Sequence, residues 1–176
     1  METSTPSGSA SERLEALGFT LPPVGSDTTY VNHRSVGSSV YVSGQLPYRD
    51  GVLLGQGIVG RDVGTEAARG LARQAVVNCL AAAAEAVGGL DRVRIVQMLV
   101  FVASTPDFGE QSRVADAASD LLFEVLGENG RHARTAIGVA GLPRNSPVEI
   151  QMVCTTGATR SSEDAGTNAL PSPSHP

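Results

Sequence analysis

The stretch HARTAIGVAGLPRNSPVEIQMVCTT, residues 132–156, decides the reading of this chain. It contains two runs with strand character, 132–140 and 147–156, parted by Leu142-Pro143-Arg144-Asn145-Ser146, a cluster that interrupts regular structure. Side chains on a strand alternate between faces. Thr135, Ile137 and Val139 therefore share one face of the first run, and Arg134, Ala136 and Gly138 the other. On the second run Val148, Ile150, Met152 and Cys154 oppose Glu149, Gln151 and Val153. If the mainly apolar sets pack against helices, Arg134 and Glu149 both fall on the far face of the sheet. If the two runs form a hairpin turning near Asn145, Arg134 lies roughly six residues beyond Glu149, about 20 Å at ~3.3 Å per residue. The two would then not touch within one chain, and a site using both would draw them from different subunits.

Arg134 itself has two readings at this point. Ala136 and Gly138 leave space beside it, and a guanidinium fork binds carboxylates through two parallel hydrogen bonds, which suggests an anchor for an anionic ligand. A structural Arg–Glu pair across an interface accounts for the same pattern equally well.

Working outward, Val93 to Ala103 is β-branched and aromatic and predicts a strand whose core, Met98-Leu99-Val100-Phe101-Val102, is apolar on both faces. It is flanked by two helical patterns. In the first, Ala68, Leu71, Ala72, Ala75, Val76, Cys79, Leu80, Ala83 and Val87 recur at three- and four-residue spacing between Thr65 and the stop signal Gly88-Gly89. In the second, Val114, Ala118, Leu121, Leu122 and Val125 recur between Glu110 and Gly127. Nearer the start, Ser11 reads as the cap of a short helix ending at Gly18, residues 30–36 and 39–43 as strands, and Arg49-Asp50-Gly51 as a turn before a short return strand at 52–54. The order β-β-(β)-α-β-α-β-β defines an α+β domain with two long helices on one face of a mixed sheet. The apolar second face calls for cover, and burial at ~25 cal/mol per Å² would contribute several kcal/mol, so other subunits are expected there. The domain is expected over 11–158, with disordered Ser/Gly/Pro-rich tails at 1–10 and 159–176.

Composition narrows the function classes. The chain has 176 residues, a formal net charge of −5 and a pI near 5.1, which argues against nucleic-acid partners that need a basic surface. No apolar run is long enough for a membrane span and no secretory leader is evident, so a cytoplasmic protein is expected. Cys79 and Cys154 are far apart, His33, His132 and His175 are scattered, and no metal-ligand spacing appears. All thirteen basic residues are arginine. Without lysine there can be no Schiff-base or Walker-A lysine, and no cofactor is expected.

Several motifs at consistent spacing resemble the RidA/YjgF (reactive intermediate deaminase) family. Ser43-Gly44-Gln45-Leu46-Pro47 is similar to its SGQ-P strand end. Phe101-Val102 with Asp107-Phe108 is similar to its VFV…DF segment, and His132-Ala133-Arg134-Thr135-Ala136, Gly141-Leu142-Pro143 and Val148-Glu149-Ile150 to its AR-S/T…LP…(I/V)E(I/V) signature. The likeness runs over about residues 28–155 and marks a divergent branch. It implies a chorismate-mutase-like fold, a homotrimer around a central barrel, and clefts between subunits that take a small anionic metabolite. The activity it implies is hydrolysis of enamines and imines such as 2-aminoacrylate to 2-oxo acids and ammonia. By motif position Arg134 would hold the substrate carboxylate and Glu149 would activate water, while Tyr30, Ser43, Gly44, Asp116 and Ala136 would line the cleft. Two positions depart from the pattern: Ala136 stands where cysteine is common, and Asp116 where asparagine is common. Two further readings accompany this one, a carboxylate-binding trimer without turnover and an enzyme acting on another imine or enol. Ser43 lacks the surroundings of a nucleophile. Alternation puts His132 on the face of Arg134, in reach of the cleft mouth, but it reads more readily as a surface residue.

Overall fold

The computed structural model describes residues 8–25 and 29–156. The tail expected at 159–176 lies outside the described residues, as do residues 1–7 of the other.

Helix α1, Ala10–Ala16, opens the described chain. Its cap is Ser9 and not Ser11: the Ser9 hydroxyl accepts from the Glu12 amide, and the Glu12 carboxylate reaches back to the Ser9 amide at 2.7 Å. That reciprocal box needs Ser three residues before Glu, a spacing Ser11 cannot meet. Strands β1 (His33–Val36) and β2 (Ser39–Gln45) form a hairpin through Gly37, whose φ of 59° suits the turn. The expected strand start at Tyr30 is displaced to His33. A small separate hairpin of β3 (Tyr48–Arg49) and β4 (Val52–Leu53) follows.

Helix α2, Thr65–Val87, strand β5, Val93–Ala103, and helix α3, Gln111–Leu126, lie where their periodicities predict, and every inward residue named above is buried. Two polar residues are buried among them. Asn78 donates to the carbonyls of Leu46 and Tyr48 at 2.8 and 2.9 Å, and Gln74 links Asn78, Tyr48 and Arg49. These bonds fasten the small hairpin to α2 at no unsatisfied cost.

The last two strands, β6 (Ala133–Val139) and β7 (Val148–Thr156), are not a hairpin. The main sheet has the order β1-β2-β7-β5-β6, with β5 lying between them, antiparallel to β7 and parallel to β6. The intervening segment is a crossing connection built on a 3-10 turn at Pro143–Asn145, with Arg144 and Asn145 at φ near +60°. A long apolar β5 gains more by pairing on both edges than at one, and sequence adjacency of β6 and β7 conceals this.

The face assignment of β6 is also reversed. Arg134 pairs in register with Met98, which is fully buried beneath the helices, so Arg134, Ala136 and Gly138 face α3. Thr135, Ile137 and Val139 face away. The physical reason is size. A Cβ at Gly138 would stand 2.9 Å from both Gln111 Nε2 and Ser104 Oγ, so only small residues admit the first turn of α3 this close to the edge strand. On β7 the expected assignment holds: Val148, Ile150, Met152 and Cys154 are buried and Glu149 lies on the open face. That face carries Tyr41, Leu99, Phe101, Ile137 and Val153, none of them fully covered.

Two glycines test this packing. A Cβ at Gly130 would overlap the Leu122 carbonyl oxygen and lie 2.6 Å from its carbon, whereas at Gly70, mid-helix and exposed, it meets nothing within 4 Å. Urea denaturation should show Gly130→Ala losing about 2 kcal/mol or more and Gly70→Ala gaining about 0.5–1 kcal/mol.

Candidate active site

Arg134 sits near the start of the edge strand β6, its side chain laid against α3. Its Nη1 donates to Asp116 Oδ1 at 2.8 Å and to Ser119 Oγ at 3.0 Å. Asp116 and Ser119 are three apart on α3, which puts both on one helix face. Among the described residues no hydrogen bond engages Nη2 or Nε of Arg134. The guanidinium is therefore held by one nitrogen while its other edge stays available, the geometry for two parallel bonds to a carboxylate. Ser119 Oγ also lies 3.1 Å from His132 Nε2, and His132 Nδ1 lies 2.6 Å from the Gly130 carbonyl oxygen. Ser119, Gly130, His132 and Arg134, with Asp120, Phe123 and Arg131, line a shallow depression of about 400 Å³.

Ser119 is the participant that the sequence reading missed, and His132, weighed there and read as a surface residue, joins it. Nothing in helical periodicity singles out a half-buried serine. His132 lies two residues from Arg134 on the same face of the run, and that placement was the available signal.

The remaining predicted residues lie elsewhere. Glu149 is on β7, opposite Phe101 of β5, and its carboxylate lies over the bulge of β2 at Ser43-Gly44. A Cβ at Gly44 would overlap Glu149 Oε1 and come within 2.9 Å of Cδ, so this position must be glycine for the carboxylate to rest there. Burial raises the Glu149 carboxyl above its ordinary 4.5. Ser43 donates its hydroxyl to the Val31 carbonyl at 2.7 Å and ties down the segment before β1. Tyr30 is exposed at the rim of a separate depression with Val24, Asn32 and Glu85. Ala136 is half-buried beside Arg134 and packs on the core.

The predicted site residues thus fall into two groups on one chain. Arg134 and Ala136 of β6 and Asp116 of α3 lie on the helix side of the sheet. Ser43, Gly44 and Glu149 are on the open face, with Tyr30 beyond β1. Arg134 and Glu149 are three residues out of step on strands two apart, about 14 Å between backbones and on opposite faces of the sheet. The hairpin-based separation of about 20 Å is corrected by the true strand order, but the two side chains remain out of contact within the chain. Among the described residues, no cluster of three His, Cys, Asp or Glu side chains is arranged to hold a metal ion, and no helix is long and apolar enough to cross a membrane.

Residues 11–155 match the family model described as "YjgF/chorismate_mutase-like, putative endoribonuclease". The chain belongs to this YjgF/RidA family. It is 42% identical over 149 residues to Protein TCP17 of Trypanosoma cruzi, covering 82% of this chain and 92% of that protein. The crystal structure of Atu1372 from Agrobacterium tumefaciens, a protein of unknown function, is 43% identical with a TM-score of 0.78, over 84% of this chain and 91% of that one. A structure from Shewanella oneidensis MR-1 described as a "putative endoribonuclease" is 33% identical with a TM-score of 0.80, over 84% and 99%.

Because the folded Glu149 carboxyl is shifted upward, its contribution to stability is present below about pH 4.5 and is lost as pH rises through the higher folded midpoint. A side-chain carboxyl titration by NMR should place Glu149 above 4.5, and Glu149→Gln should remove this loss; a midpoint at or below 4.5 would contradict the burial.

Proposed function

We propose that this protein hydrolyses small enamine and imine carboxylates, of the 2-aminoacrylate type, to 2-oxo acids and ammonia in the cytoplasm, in a site completed by a second copy of the chain. The observation that carries this reading is the pair of half-sites: an Arg134 guanidinium with one edge uncommitted, and a Glu149 carboxyl with raised proton affinity that its own chain cannot bring to Arg134. Family membership and the uncovered apolar open face support a homotrimer in which the open faces enclose a barrel.

In the proposed reaction Arg134 binds the substrate carboxylate in bidentate fashion. The enamine takes a proton from water on its β-carbon and becomes the iminium ion, whose carbon is electrophilic, leaving hydroxide. Glu149 takes a proton from a second water as that water adds to the carbon, giving a carbinolamine, and returns it to the nitrogen. The C–N bond then breaks to release ammonia while the hydroxyl proton passes to the hydroxide and the carbonyl of the 2-oxo acid forms. The gain comes from positioning and one proton-transfer group, and a carboxyl shifted toward neutrality suits that role better than an ordinary one. No lysine or metal is required. RNA cleavage is a weaker reading, because the net charge is −5 and the site residues present no row of stacking aromatics.

One observation favours a second reading. Asp116 holds Arg134 Nη1, so a ligand carboxylate on the other edge of the guanidinium lies near an anion. A carrier or sensor of a different small carboxylate would tolerate this better than a fast deaminase.

With 2-aminoacrylate generated by a dehydratase and the residue trapped by semicarbazide, the wild type should lower the trapped amount. Arg134→Ala should lose about a hundredfold in kcat/KM. Equal trapping with and without the protein would sink the deaminase reading. Asp116→Asn should tighten inhibition by the product pyruvate about three- to tenfold, because it removes a half-exposed negative charge beside the anion site; weaker inhibition would show that Asp116 assists the ligand.

A further inference from the structure

We propose that Ser119 and His132 are positioning residues for Arg134, linked in a directed relay that presents the free guanidinium edge to the ligand carboxylate. The proposal rests on the site described above but names residues that the reaction itself does not use.

The direction of the relay follows from donor and acceptor chemistry. The Gly130 carbonyl can only accept, and His132 Nδ1 lies 2.6 Å from it, so Nδ1 carries the ring proton. In the neutral ring Nε2 is then bare and accepts. Ser119 Oγ, 3.1 Å away, sends its single proton there. The hydroxyl lone pairs are thereby left for Arg134 Nη1, which donates to Oγ at 3.0 Å. Arg134 only donates, Ser119 Oγ and the His132 ring each donate once and accept once, and the Gly130 carbonyl only accepts, so no member can reverse without breaking a neighbour. Without His132 the hydroxyl proton is free to turn toward Arg134, and the Nη1 support is lost for part of the time.

The relay is anchored at both ends. Gly130 lies against the Leu122 backbone so closely that a Cβ would overlap the Leu122 carbonyl oxygen, and Ser119 is carried by α3, which packs on β5 and β6. Asp116 supplies charge to the same nitrogen, but an exposed carboxylate alone leaves the guanidinium free to pivot about that bond. A second acceptor on Nη1, three residues along the helix, fixes the plane. Ser119 and Asp116 together therefore hold the plane, and His132 acts only through Ser119.

The test is a mutant cycle with kinetic and spectroscopic readouts. Ser119→Ala and His132→Ala should each raise KM for 2-iminobutanoate, and the inhibition constant of pyruvate, about tenfold with kcat within about twofold of wild type. The double variant should be no worse than Ser119→Ala. His132→Gln, which can offer an acceptor oxygen near the Nε2 position, should restore most of the loss. His132→Asn, which can keep a donor for Gly130 but lacks that acceptor, should not. Independent, multiplying losses in the double variant, or losses in kcat, would overturn the relay. In ligand-free protein the Arg134 Nη groups should rotate slowly by NMR in wild type and His132→Gln, and faster in Ser119→Ala, His132→Ala and His132→Asn. If wild type neither turns over substrate nor binds pyruvate, the proposed function fails, and the NMR arm still decides the relay: unchanged rotation in the variants overturns it.

Discussion

The central constraint is a five-stranded sheet covered by helices on one side only. Val100, Val102, Ile150 and Met152 are sealed beneath α2 and α3. The reverse side leaves Tyr41 at 48% and Ile137 at 42% exposure, with Leu99, Phe101 and Val153 half-buried around them. Such a surface on a mixed sheet is stabilised by covering it, at roughly 25 cal/mol per Å². The functional groups divide along the same line. Arg134 and its supports belong to the helix side of the β6 edge; Glu149 belongs to the open face above the β2 bulge. The sheet therefore separates the two groups of candidate residues within one chain.

Sequence reading recovers elements better than their neighbours. The helices at Thr65–Val87 and Gln111–Leu126 and the strand Val93–Ala103 follow from apolar period and glycine stops, because those signals are local. The partner of β6 is not a local property. Residues 132–156 read as a hairpin because alternating runs close in sequence usually pair, and only the demand of a doubly apolar β5 for strands on both edges overrides that. The reversed face of β6 has a similar origin. Hydrophobicity assigns Thr135, Ile137 and Val139 inward, but the helix side there is reserved for small residues, since α3 comes close over Ala136 and Gly138.

The candidate site was legible where a motif carries it and illegible where a contact does. Arg134, Glu149 and Gly44 stand in recognisable strings, and Gly44 has a plain cause in the Glu149 carboxylate that fills the space of its missing side chain. Asp116 was legible as a departure, but not as the ion-pair partner of Arg134 at 2.8 Å. Ser119 and His132 gain meaning only once α3 and β6 are placed side by side. The structure gives the Asp116 departure a partner: its acid is held by Arg134.

The claim that one site takes Arg134 from one subunit and Glu149 from another is tested most directly by subunit complementation. Arg134→Ala and Glu149→Gln chains, each inactive alone, are mixed, unfolded and refolded together, and assayed for imine hydrolysis. If the residues come from different subunits of a ring, random mixing rebuilds intact sites and restores about a quarter of wild-type activity. If refolded mixtures stay as inactive as the separate variants while wild type recovers fully through the same treatment, the shared site is contradicted.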